Sequence, residues 1–330
     1  MRRILIVTAI AVAVLVITPW WGIEKLAWND IKDIHGETAA GLIFWHIRIP
    51  RTLTAFCAGS VLATAGMAFQ AFFRNPLATP YTLGISSGAA VGAAFSIRLG
   101  IPALFVVLPS TAVFGFLGAI TCTALLYGLI RLRGGFSVPA LLLTGVALSF
   151  MLSSILLVLQ YSSSLHDSYR LLRWMMGGVG MVGYDTLVIM VPAVAIGVGV
   201  LGYLSDELDL LSAGELTAMT RGVDVSRINK ILFFTVSMMI GVVVSVCGPI
   251  GFVGIMVPHT CRLIFGYRHR MLFPLVALGG GILLTLCDTV ARTIMAPAEL
   301  PVGVITALIG GPFFLFLIIT GRTADRVTRG

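Results

Sequence analysis

Lysine is almost missing from this 330-residue chain: there are three, Lys25, Lys32 and Lys230, preceded by Glu24, Ile31 and Asn229. None follows a glycine, so there is no G-x-x-x-x-G-K-[ST] loop to cradle nucleotide phosphates, and this polypeptide does not bind ATP in that manner. Charge of either sign is scarce. Asp, Glu, Lys and Arg make up 11% of the residues, whereas soluble domains carry about 25%. The five histidines (His35, His46, His166, His259, His269) are isolated, and the absence of H-E-x-x-H removes the usual zinc-hydrolase pattern. His259 and Arg262, in VPHTCR, fall three apart on one helix face and read as a structural polar pair at a helix end rather than as catalysts. The five cysteines (Cys57, Cys122, Cys247, Cys261, Cys287) lie in or beside apolar runs, without CxxC or Cys/His spacing, and read as small core residues. No catalytic residue, metal or cofactor is expected.

What the chain has is apolar length. It is 58% hydrophobic with mean hydropathy +1.02, and a hydrocarbon core of about 30 Å needs about 20 apolar residues per helix. An all-α polytopic membrane protein follows, as one transmembrane unit over 1–330. Apolar runs bounded by charge, Pro and Gly predict about ten spans: 4–21, 52–73, 80–98, 103–130, 138–161, 184–204, 229–247, 250–266, 272–292 and 301–320. The start, MRR followed by ILIVTAIAVAVLVI, continues into TPWWGIEKL without an A-x-A site, so it reads as a retained span rather than a signal peptide. The net charge of +8 comes from cations scattered singly between apolar runs, which does not make a nucleic-acid surface.

The 22 Lys and Arg divide about fourteen to eight between the two sides when the N-terminus is placed inside, so both termini are expected to be cytoplasmic. Trp20, Trp21, Trp28, Trp45 and Trp174 then fall near the outer edge, where amphipathic rings sit. On that side the cations pair tightly, Arg48 with Arg51 in HIRIPRT and Arg170 with Arg173. Spacing leaves two readings open for them: anchors for lipid phosphate or helix ends, or contacts for an acidic partner, since arginine forms bidentate pairs with carboxylates. Inside, residues 205–228 hold more structure than a connection requires. Ser212 and Glu215 fit an S-x-x-E capping box for a helix to about Thr220, Gly222 stops it, and Asp224 or Ser226 caps the next. Leu211, Leu216, Met219 and Val223 give this pair an apolar side, suited to docking or to lying on the membrane.

Ion-coupled transport generally requires ionisable groups near the midplane. Only Asp288 lies well inside an apolar run, and Arg292, four residues on, can pair with it along one helix face. Asp185 and Glu299 sit at span edges. A structural ion pair is therefore the first reading of Asp288, with an ion-coupled carrier as a distant alternative.

Three stretches read together give more. RIPRTLTAFCAGSVLATAGMAFQAFFRNPLATPYTLGISSGAAVGA (48–93), CGPIGFVGIMVPHTCRLIFGYRHRMLFPL (247–275) and DTVARTIMAPAELPVGVITALIGGPFFLFLI (288–318) resemble the FecCD-type permease subunits of ABC importers for iron-siderophores, haem and cobalamin. The resemblance covers nearly the whole chain. It implies the type II ABC importer permease fold, a ten-helix bundle with the second to fifth and seventh to tenth helices as inverted repeats. It also implies a homodimer with the pathway at its interface, two separate ATP-binding cassette subunits and a periplasmic or lipid-anchored binding protein, in a bacterial or archaeal cytoplasmic (inner) membrane. By motif, the binding protein would dock on Arg48 and Arg51 of R-x-P-R and on Arg292 of D-x-x-A-R. The ATPase would engage about 211–227, with Leu211, Ser212, Glu215, Met219, Arg221, Gly222, Val223 and Asp224. The pathway is expected along 138–161, with Ser149, Ser153 and Gln160, and with Met175 and Met176 beyond. Iron-siderophore is the first expectation for cargo, with cobalamin or haem as alternatives.

Overall fold

The computed structural model describes residues 2–22, 24, 32–33, 38–102, 109–132, 138–180 and 183–319. Lys25, Trp28, His35, Arg133, the start of the expected span 103–130 and the basic tail with Arg322, Arg326 and Arg329 lie outside these residues. The described residues are helical with no strand among them.

Helix α1 (Arg2–Ile17) is almost wholly apolar after Arg2 and Arg3 and ends in a 3₁₀ turn, Thr18–Trp20, with Pro19 inside it. The second helical segment, α2, runs from Ala39 to Phe73 and begins well before the expected residue 52. Thr38 caps it by accepting the Gly41 N–H at 3.1 Å. Residues 43–48 wind as a π-helix just ahead of Pro50, which lacks an N–H and forbids an ordinary i→i−4 bond. HIRIPRT is thus inside a continuous rod rather than at the edge of a span.

There follow α3 (Ile85–Arg98), α4 (Ser110–Leu132), α5 (Val138–Tyr161) and α6 (Leu165–Met175). Helix α6 lies in a stretch for which no element was expected. Its signal is legible in SLHD: Ser164 accepts the Asp167 N–H at 3.1 Å and donates to the Asp167 carboxylate at 2.8 Å, a reciprocal cap. Leu171 buries against Ala90, Ala94, Ile97 and Leu156, while Arg170 and Arg173 stay exposed.

The rest comprises α7 (Tyr184–Tyr203), α8 (Ser205–Ala213), α9 (Glu215–Thr220), α10 (Val225–Cys247), α11 (Val253–Phe265), α12 (His269–Thr293) and α13 (Val302–Ile319). Among the described residues seven segments, α1, α2, α4, α5, α7, α10 and α12, are long and apolar enough to cross a bilayer. Helices α3 and α11, with 14 and 13 residues, are shorter than the roughly 20 residues of a full span. Each follows an irregular stretch at membrane depth, and such backbone persists only when protein covers it.

Helix α2 is the axis: its span is 83% buried within the chain, against 17% for α1. It packs on α12, α11, α10 and α7, while α3 packs on α4 and α5. Small residues let the backbones touch, as membrane helices without a hydrophobic drive require. A Cβ on Gly59 would lie 2.1 Å from the Gly280 carbonyl oxygen, and one on Gly66 would lie 2.0 Å from that of Gly254. Gly59→Val is therefore expected to part α2 from α12 and lower stability at or above the upper end of the roughly 1–3 kcal/mol typical of overpacking. Thermal unfolding in detergent checks this, with Gly199→Ala, whose Cβ meets nothing within 4 Å, as the control. An unchanged midpoint for Gly59→Val would mean that this crossing is loose.

Candidate functional site

One end of the bundle holds three buried arginines. Arg48, Arg51 and Arg292 are 5%, 7% and 5% exposed. Arg51 donates from Nε to both Asp288 carboxylate oxygens (3.2 and 3.0 Å) and from Nη2 to Oδ1 (3.0 Å), while its Nη1 donates to both Glu299 oxygens (3.1 and 2.9 Å). One planar guanidinium thereby ties α2, α12 and the α12–α13 connection together. Arg48 donates to the carbonyls of Pro19, Trp20 and Glu24 at 3.1, 3.4 and 2.7 Å. Arg292 donates to the Thr18 carbonyl at 2.6 Å. These carbonyls lie at and just beyond the C-terminal end of α1, where helical partners run out, and arginine suits them in hydrogen bonding and charge.

One expectation is corrected here. Asp288 does not pair with Arg292 four residues on but with Arg51 across the helix crossing, because Arg292 turns to the end of α1. Arg48 and Arg51 hold several hydrogen bonds within the chain, whereas Arg292 bonds the Thr18 carbonyl through Nη2 and keeps a buried Nε without a hydrogen-bond partner among the described residues. Arg170 and Arg173, at the same end, are exposed. They line a cavity of about 350 Å³ together with Arg51, Trp174 and Glu299. Among the described residues Arg170 pairs with Asp167, at 4.0 Å.

Between the two ends, the breaks ahead of α3 and α11 meet. Tyr81, on the 3₁₀ turn Pro80–Leu83, accepts the Ile250 N–H at 2.8 Å and donates to the Ile250 carbonyl. It thus satisfies both polar groups of one residue in the irregular GPIGF stretch. Gly248 there has φ +66, and a Cβ would lie 2.4 Å from the Trp174 carbonyl oxygen. Of the residues expected along the pathway, Ser149 is turned inward, its Oγ bonded to the Gly145 carbonyl at 2.8 Å and close to Gly84. Ser153 and Met176 are exposed, and Gln160 and Met175 half-buried.

At the opposite end, residues 205–228 differ in detail from their sequence reading. Ser212 is not a cap; it sits in the last turn of α8 and donates to the Leu208 carbonyl at 2.8 Å. Gly214, at φ +130, breaks the chain, and α9 begins at Glu215 without a side-chain cap. Gly222, at φ +83, follows the end of α9. Asp224 caps α10 by accepting the Arg227 N–H at 3.0 Å. Leu211 is core, whereas Leu216 and Met219 are 80% and 54% exposed, so the four apolar residues do not share one side. Val223 is half-buried and Arg221 exposed.

Sequence reasoning missed two long-range links, one that holds this segment to the bundle and one that ties α11 to α2. Asp209, on α8, accepts the His269 N–H at 3.0 Å and bonds its Nδ1 at 2.6 Å, capping α12 from another helix. Arg262 donates to the Gln70 side-chain oxygen, and Gln70 Nε2 donates to the Gly254 carbonyl at 3.1 Å. The expected His259–Arg262 pair does not form, since Arg262 reaches across to α2. Only the long gaps between partners hid these contacts.

Among the described residues no group of His, Cys, Asp and Glu has the geometry to hold a metal ion. A solved metal-chelate type ABC transporter in an inward-facing conformation superposes with TM-score 0.87 at 30% identity, covering 97% of this chain and 99% of that one. Among curated relatives, a hemin transport system permease of Yersinia pestis is 39% identical, covering 91% of this chain and 90% of its own. A cobalamin import system permease of Halobacterium salinarum is 40% identical, covering 90% and 79%, and a vitamin B12 import system permease of Salmonella typhi is 37% identical, covering 90% and 89%. The model of the FecCD transport family matches residues 4–320. A bundle of this form, joined to an end built from two short helices, is a transport subunit of the ABC importer type, and the chain belongs to the FecCD transport family.

Proposed function

We propose that the chain is the permease of an importer for a large metal chelate, acting as two copies with two separate ATPase subunits and an external binding protein. The observation that carries this is likeness over about nine-tenths of the chain to permeases named for hemin and for cobalamin, in a chain without a phosphate loop. Those names support haem or cobalamin cargo as well as the iron-siderophore expected from sequence. The charge asymmetry supports a cytoplasmic-membrane location with both termini inside. The exposed face of α5 that carries Ser153, continued by Met176 at the end of α6, is the candidate wall of a pathway between two copies, weakly polar along α5, with Arg170 and Arg173 at its α6 end. Reconstitution with the ATPase and binding protein, followed by uptake of haem, cobalamin and a ferric siderophore, tests the reading. Uptake that needs a gradient and no ATP would overturn it.

Docking outside is proposed to begin at Arg170 and Arg173, above the buried floor of Arg48, Arg51 and Arg292. Exposed charges set encounter rate and salt dependence more than final affinity. Arg170→Glu with Arg173→Glu is expected to slow binding-protein association roughly tenfold and flatten its salt dependence, with folding unchanged. Reversal at Arg48, Arg51 or Arg292 is expected to impair folding first. If those three variants fold normally yet lose the binding protein, the motif arginines dock directly and release α1 to do so.

A further inference from the structure

At the end of the bundle that carries the coupling segment, a cavity of about 650 Å³ opens between α2, α8, α11 and the start of α12. Its charges do not balance. Arg262, half-buried, bonds the neutral Gln70 and forms no ion pair among the described residues. Buried His259 Nε2 has no hydrogen-bond partner there. Arg74 and Arg268 line the same cavity, exposed and without an ion pair among the described residues. The one acid in its wall, Asp209, is already held by His269. A partly buried cation without a counter-ion is costly, and an anion that fills the cavity removes that cost.

The surroundings decide which anion. Leu263 and Tyr267, both in the cavity wall, are 39% and 59% exposed, and Ile264 beside them is 60% exposed. An apolar strip therefore leads from the cations along the outside of a membrane helix. A soluble phosphate has no use for such a strip, whereas a lipid does. Basic pockets between helices on the positively charged side of membrane proteins take anionic headgroups. We propose that this cavity binds the phosphate headgroup of an anionic phospholipid, with Arg262 and His259 at its floor, Arg74 and Arg268 at its mouth, and the acyl chains along Leu263 and Ile264. Ser212 and Ala213, at the end of α8, form part of the wall, so the bound lipid braces the coupling segment against α12. The inference rests on the membrane reading of the chain and not on its cargo.

Native mass spectrometry of the full chain released from detergent, titrated with phosphatidylglycerol and phosphatidylcholine, tests it. Phosphatidylglycerol is expected to be retained about tenfold more strongly, and Arg74→Gln with Arg268→Gln to lower that retention by at least about tenfold. Arg262→Gln is expected to abolish the preference. Should that variant fail to fold, the rim pair, whose side chains stand in solvent, carries the result. Equal retention of the two lipids, or unchanged retention in the rim variant, overturns the site. Thermal protection by inorganic phosphate equal to that by phosphatidylglycerol reassigns it to a soluble anion and overturns the lipid. Rim variants that keep the lipid but lose the ATPase subunit make the cavity a protein contact, which also overturns it.

Discussion

Asp288→Ala is expected to be the most damaging single substitution in the chain. It removes the carboxylate that holds Arg51 by three hydrogen bonds at a position 2% exposed. Breaking a buried pair from one side leaves an uncompensated charge and costs about 3–5 kcal/mol, a large part of the roughly 5–15 kcal/mol that holds a protein folded. Asp288→Asn keeps the shape but loses the charge and is expected to follow closely. Glu299→Gln is different: its side chain is 39% exposed, so water screens the pair and the loss is expected to stay below about 1 kcal/mol. Replacing both partners, as Arg51→Met with Asp288→Leu, removes the buried charges together and is expected to recover much of the stability. Yield of monodisperse protein and its unfolding midpoint read all four variants. The outcome that separates transport mechanisms is Asp288→Asn. If it folds as well as the parent and loses only gradient-driven uptake, the aspartate is a coupling site and the chain is an ion-driven carrier.

That contact also marks where sequence reading stops. Each long span is written locally, as an apolar run between breakers, and nine of the ten expected spans overlap described helices closely. The exception is the second, which starts at Ala39 because Thr38 caps it and a π-helical turn carries the chain past Pro50. A proline beside two arginines reads as a boundary when only its neighbours are known. The caps at Asp224 and Ser164 and the stop at Gly222 are local too, and each is visible in four or five residues. Pairings are not. Asp288 and Arg292 satisfy the i, i+4 rule, yet Arg51, 237 positions away, takes the aspartate because α2 and α12 cross there. Arg48 read as an edge cation and Arg292 as the partner of Asp288, because nothing in their own segments says that the end of α1 packs against them. The family motifs located the outer cluster without revealing that its guanidiniums face inward.

Leu216→Asp and Met219→Asp are expected to abolish transport with the fold left intact. Both side chains project from α9, a six-residue helix between left-handed glycines at 214 and 222. Neither contributes to the core, which on this segment is made by Leu208, Leu211 and Ala218. Large apolar side chains held out at the polar end of a bundle, on a rigid element, have the character of interface anchors. The mounting of α9 fits that role. It follows α8, which is fixed to α12 by Asp209 and His269, and α12 reaches the outer cluster at Asp288. A force applied at α9 therefore has a connected route through packed helices. Burying a carboxylate where an apolar anchor docks is expected to weaken ATPase association by about 2–4 kcal/mol, roughly thirtyfold to thousandfold in affinity. Pull-down of the ATPase subunit and ATP-driven uptake in proteoliposomes read the effect, and an unchanged melting temperature confirms that only the interface was touched. Asp209→Asn supplies the complementary case, since it loosens the mounting without altering the docking face. It is expected to leave ATPase binding near normal while lowering the uptake obtained per ATP hydrolysed. If Asp209→Asn instead transports as efficiently as the parent, α9 drives the bundle through some contact other than the α8–α12 link.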